Sequence, residues 1–124
     1  MILGADLGST SALDLSDAGH SFWGESGGDY AGYALSGAGD ADGDGLDDIL
    51  VGAYGNDDGG AASGAAYLLY GPVTDDADLS FADAKFLGET AGDWAGYSVD
   101  GAGDLDGDGL DDLVVGAPYM QIDG

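Results

Sequence analysis

The apolar positions of this chain fall in short runs, each closed by turn residues. Asp48-Ile49-Leu50-Val51-Gly52 and Asp112-Leu113-Val114-Val115-Gly116 are brief apolar runs of the kind that forms strands buried on both faces. Ala65-Ala66-Tyr67-Leu68-Leu69-Tyr70 is another strand, stopped by Gly71-Pro72. Tyr30 to Ser36 and Trp94 to Val99 alternate bulky and small residues and are also expected as strands. Ala84 to Leu87 adds a fourth, with Ser21 to Trp23 as its counterpart. Thr74 to Asp78 reads as an acidic loop between strands. No segment keeps a helical apolar face; Asp76 to Lys85 comes nearest and does not sustain one.

The runs recur. Gly24 to Tyr54 lies over Gly88 to Pro118 at an offset of 64 residues, without a gap, and 21 of the 31 positions match. Weaker matches extend upstream: Leu15-Ser16 with Leu79-Ser80, Phe22 with Phe86, and Met1-Ile2-Leu3-Gly4 with Leu68-Leu69-Tyr70-Gly71. The expected organisation is therefore threefold. Residues 1–23 end a preceding unit and supply a connecting strand, 24–87 form one complete repeat, and 88–124 begin a further, truncated one. Four short strands per unit, joined by Gly/Asp turns, predict an all-β chain of small antiparallel sheets, the pattern of β-propeller blades. A β-solenoid is the rival, but its repeats are shorter. Two units cannot close a ring. The expected partners are neighbouring blades of the same propeller, or copies of this chain.

Charge narrows the function. A single basic residue, Lys85, stands against 25 acids, for a formal net charge of −24. One lysine cannot neutralise a phosphate backbone, so nucleic acid is excluded. An anionic membrane surface would repel the chain. No apolar run approaches the roughly 20 residues of a membrane span, so direct membrane insertion is not expected. The 44% apolar content argues against disorder. There is no cysteine, hence no disulfide and no thiolate metal site. Met1 to Asp6 has neither the basic nor the apolar region of a signal peptide; an exported protein would start upstream of this sequence.

The most informative motif is Asp40-Ala41-Asp42-Gly43-Asp44-Gly45-Leu46-Asp47-Asp48, repeated as Asp104-Leu105-Asp106-Gly107-Asp108-Gly109-Leu110-Asp111-Asp112. Carboxylates occupy positions one, three, five and nine. A loop curled round one ion can offer the side chains of Asp40, Asp42, Asp44 and Asp48, with the backbone carbonyl of Leu46 at position seven. Asp104, Asp106, Asp108, Leu110 and Asp112 can do the same for a second ion. Four carboxylates in one loop repel one another. Each like-charged pair at 4 Å costs on the order of 4 kcal/mol at an effective dielectric of 20. Hard oxygen donors favour Ca2+ over zinc or copper, with Mg2+ second. An EF-hand would need a bidentate Glu at position twelve, where this chain has Val51 and Val115. The alternative is a metal-free Asp/Gly turn, which the recurrence of all four positions disfavours.

On these residues the chain resembles the FG-GAP repeat of integrin α-chain β-propellers and bacterial surface proteins. Gly32-Tyr33 and Gly96-Tyr97 stand where that family has Phe-Gly or Gly-Tyr, and Gly116-Ala117-Pro118 is the Gly-Ala-Pro element itself. Gly52-Ala53-Tyr54 departs from it. The resemblance implies a seven-bladed propeller, with calcium loops between the first two strands of a blade, on the face opposite the ligand-binding loops. Both ions would brace the fold and neither would do chemistry. It also implies an extracellular or cell-surface location and a role in adhesion or recognition of a protein or carbohydrate ligand. A propeller within a secreted hydrolase or lyase, or a structural spacer in a large surface protein, is the alternative.

Other residues fit packing or solvation. Asp47 and Asp111 neighbour the last ligand and are expected to be solvated, with support of the loop behind the ligands as the lesser reading. His20 has Ala84 as its counterpart and lacks the partners of a catalytic histidine. Tyr30, Tyr33, Trp94 and Tyr97 suit blade packing, with an aromatic carbohydrate platform as the sharper reading. Asn56 to Gly60 is expected as a turn whose looseness suits a ligand-facing loop. Two Ca2+ would bring −24 only to −20, a residue of charge suited to a salty medium.

Overall fold

The computed structural model describes residue 1 and residues 15–120 of the chain. The likeness of Ile2-Leu3-Gly4 to a strand end therefore lies outside the described residues. The described residues form eight strands in chain order: β1 (Phe22–Trp23), β2 (Ala34–Gly39), β3 (Asp48–Ala53), β4 (Ala65–Leu69), β5 (Ala77–Asp78), β6 (Ala84–Leu87), β7 (Ser98–Gly103) and β8 (Asp112–Gly116). Two single turns of 3-10 helix, Leu15–Asp17 and Leu79–Phe81, are the only helical elements among the described residues. The chain is all-β.

β2, β3, β4 and β6 form one antiparallel sheet in that order. Its centre is buried on both sides, as the continuous apolar runs require. Val51, Ala53, Tyr67 and Leu69 face one way, against Leu79 and Phe22. Leu50, Ala66 and Leu68 face the other, against Val99, Leu113 and Val115 of the next unit. β7 and β8 open that unit as an antiparallel pair with the register of β2 and β3, residue for residue at the 64-residue offset. The inner strands of the two units meet at equivalent positions. Ser36 Oγ donates to Asp100 Oδ1 at 2.9 Å, and the Tyr33 hydroxyl lies 3.3 Å from that of Tyr97. Such head-to-tail contact repeats indefinitely or closes a ring. It requires small residues at the seam: a Cβ on Gly101 would fall 2.5 Å from the Gly37 carbonyl oxygen.

Three expectations shift. The strands expected from Tyr30 and Trp94 begin four residues later. Tyr30 and Trp94 have φ of 55° and 59°, and Tyr33 N–H and Tyr97 N–H donate back to Tyr30 and Trp94 carbonyls at 3.1 Å, closing turns instead. The Thr74 to Asp78 loop contains β5, which pairs with β1 in parallel. Its acids anchor it: Asp76 Oδ1 accepts from Ser21 N–H at 2.7 Å, and Asp78 Oδ2 from Trp23 Nε1 at 3.1 Å. Among the described residues, the Ser21–Trp23 strand accordingly pairs with β5 in this ribbon, whereas its counterpart β6 is the outer strand of the four-stranded sheet.

Candidate metal centre

Each acidic nonapeptide spans a hairpin loop, 40–47 between β2 and β3 and 104–111 between β7 and β8. A bulge enters each loop, where the register slips between Gly37 and Gly39 and between Gly101 and Gly103. The extra residue redirects the strand and starts the curl. Inside the loops Gly43, Gly45, Gly107 and Gly109 have φ of 83°, 87°, 80° and 95°, a conformation glycine adopts without the steric cost of a Cβ.

The curl turns the first three carboxylates inward. Ligand oxygens of Asp40, Asp42 and Asp44 all lie within 4.8 Å of one another, and those of Asp104, Asp106 and Asp108 do the same. Two calcium–oxygen bonds of about 2.4 Å span that distance, so three hard donors fit one Ca2+ in each loop. Backbone amides hold the carboxylates in place. Asp40 accepts from Gly43 N–H at 2.8 Å and Gly45 N–H at 3.0 Å; Asp44 Oδ1 accepts from Leu46 N–H at 2.8 Å. Asp42 Oδ1 accepts from Asp44 N–H at 3.0 Å. The second loop reproduces this set, from Gly107 and Gly109 to Asp104 and from Leu110 to Asp108.

The ninth positions stand outside these groups of three. Asp48 is buried, with Oδ2 accepting from Ala41 N–H at 2.8 Å and Oδ1 from Gly71 N–H at 2.9 Å. Asp112 Oδ2 accepts from Leu105 N–H at 2.7 Å. Both close the base of their loop. Asp111 is not simply solvated. Its carboxylate accepts from Asp40 N–H at 2.9 Å and its own N–H donates to the Asp40 carbonyl at 3.0 Å, so one loop grips the other. Asp47, its counterpart, is exposed.

Two further groups, a lysine triad and a buried polar network, were not legible beforehand. Lys85 Nζ lies 2.5 Å from both Glu25 Oε2 and Asp58 Oδ2, and 5.2 Å from the centre of the Tyr67 ring. Burial opposes its charge, but the hydrogen bonds it donates to Asp58 and Glu25 outweigh burial and hold the ammonium well above its ordinary value. Lys85 in turn holds the Asp58 carboxyl below the usual range. Beneath it, burial pushes the Tyr67 phenol up to about 12. Asn56 is buried, not loose: its Nδ2 donates to Asp29 Oδ2 at 3.1 Å and to Tyr67 Oη at 3.2 Å. The signal was the pairing of the only lysine with one of only two glutamates.

At the other end of β2 and β3, about 20 Å from the acidic loops at 3.3 Å per residue, six aromatic rings gather. Tyr54 contacts Tyr30, Tyr33, Trp94 and Tyr97 at 4.9, 4.8, 5.3 and 5.5 Å between ring centres. Tyr119 extends the group through Trp94 at 4.6 Å. Tyr30, Tyr33 and Tyr119 remain more than half exposed. Tyr54 is the residue at which Gly52-Ala53-Tyr54 departs from Gly116-Ala117-Pro118, and that departure supplies the hub.

Blade-like sheets stacked head to tail, each with an acidic hairpin loop whose first three carboxylates converge, define a repeat protein of the propeller class. The FG-GAP repeat model matches residues 31–69 and 95–121, more than half the chain and both acidic loops. The chain belongs to the FG-GAP repeat family. It is 37% identical over 103 residues, 78% of its length, to integrin alpha-PS2 of Drosophila melanogaster. It is 38% identical over 95 residues, 69% of its length, to integrin alpha-V of Gallus gallus. The chain spans 7% and 8% of those two relatives.

Proposed function

We propose that this chain is a calcium-braced propeller module for adhesion or recognition outside the cell, with Ca2+ in a structural role at two sites. The convergence of Asp40, Asp42 and Asp44, repeated by Asp104, Asp106 and Asp108, is the observation that carries this reading. Bound Ca2+ would supply cross-linking charge that offsets carboxylate repulsion. The chain's own residues aim the carboxylates, and Asp48 and Asp112 fix the loop base. The role is binding, not catalysis. Likeness to integrin α chains supports a cell-surface setting and a protein ligand or partner. The aromatic cluster, on the end opposite the acidic loops, is the recognition surface we favour, for protein or carbohydrate.

Open faces at the two ends support neighbouring blades or second copies as partners. Leu35, the counterpart of seam residue Val99, is 64% exposed, and Val114, the counterpart of buried Leu50, is 50% exposed. Calorimetry on the metal-stripped chain tests the function. Asp44→Ala and Asp108→Ala should each remove one of two bound Ca2+. Full stoichiometry retained in both variants would overturn the assignment.

A further inference from the structure

The two acidic loops touch, and the contact is built into the sequence at more than one point. Asp111, between Leu110 and the base residue Asp112, forms the double hydrogen bond with the Asp40 peptide described above. Asp40 is the first carboxylate of the other loop. The grip holds its backbone and leaves the carboxylate facing its own loop. Gly39 makes room for it: a Cβ there would fall 2.0 Å from Asp111 Oδ2. Gly103, its counterpart with the same φ of 68°, has open space at that position. Leu110 adds a second touch, since a Cβ on Gly43 would fall 2.8 Å from Leu110 Cδ2.

We infer that Asp111 couples the two loops, so that filling one with Ca2+ tightens the other. This rests on the calcium reading above. An ion in the second loop fixes the backbone of residues 104–112 and with it Asp111. A fixed Asp111 holds the Asp40 peptide, so the first loop orders with less loss of conformational entropy. Linkage makes the effect reciprocal. Asp111 is a positioning residue: it touches no ion and acts through Asp40. The counterpart Asp47 would hand the same grip to a unit stacked before the first.

The test is CaCl2 titration of the whole chain by calorimetry. With the second site removed by Asp108→Ala, the first should weaken about tenfold. With the first removed by Asp44→Ala, the second should weaken by the same factor. Asp111→Ala should abolish this mutual dependence while both loops still bind. Asp111→Asn, which keeps an acceptor, should retain it. Gly39→Ala should break the coupling, whereas Gly103→Ala, equal in backbone strain, should not; this pair decides the matter if Asp111→Ala does not fold. Site affinities unchanged by emptying the other loop would overturn the coupling, and so would coupling that survives Asp111→Ala. No Ca2+ bound by the folded wild-type chain would instead overturn the calcium reading beneath it.

Discussion

At the residue scale, one cation does the work of many. Lys85 joins Glu25 and Asp58 beside the buried Tyr67–Asn56–Asp29 network. Lys85→Met would leave two carboxylates facing each other, Glu25 mostly buried and Asp58 more than half exposed. The variant is expected to unfold at lower urea, chiefly through loss of the better-buried Glu25 pair; an unchanged midpoint would remove the triad from the stability account. Tyr67 gives a pH signature. Its folded phenol titrates at about 12 against 10.0 for the free group, so the folded state holds the proton more tightly. That stability is complete below about pH 10 and is lost as pH rises towards 12. Raised Lys85 acts in the same direction. Urea midpoints should therefore fall on the alkaline side, less steeply in Tyr67→Phe; equal slopes would contradict this. The acidic loop ligands were legible because Asp at every second position, with Gly between, has few other uses. The Lys85 triad and the Asp111 grip were not, because each joins residues 27 to 71 positions apart in sequence.

At the element scale, the short strands β3, β4, β6 and β8 were legible from apolar runs bounded by Gly, Asp and Pro. The start of β2 was not, since alternation of bulky and small residues also describes a turn that stacks its aromatics. β5 is two residues long and acidic, and only its partner β1 makes it a strand. The seam between β2 and β7 offers a matched test. Gly101→Ala would drive a Cβ to 2.5 Å from the Gly37 carbonyl, whereas Gly37→Ala meets nothing within 4 Å. Overpacking should cost Gly101→Ala about 2 kcal/mol more than Gly37→Ala. Equal melting temperatures for the two variants would contradict direct contact of the inner strands.

At the scale of the whole molecule, the charge of −24 and the open ends at Leu35 and Val114 act together. Repulsion opposes compaction and stacking, and cations relieve it. Raising NaCl at fixed calcium should therefore raise the melting temperature; a flat response would show that the surface acids are far enough apart not to matter. Repeat, fold class and the paired acidic loops could all be read from a 64-residue self-match; of the aromatic cluster, Tyr30, Tyr33, Trp94 and Tyr97 could be read as a group, but not their hub Tyr54 or Tyr119. The cluster assembles from three turns of two units around Tyr54, where the repeat breaks its own pattern. The most direct test of the account counts ions on the folded chain. Native mass spectrometry of the metal-stripped protein, titrated with Ca2+, should show two ions retained per folded chain and one in each of Asp44→Ala and Asp108→Ala. A folded chain that retains none would contradict it and leave both loops as Asp/Gly turns.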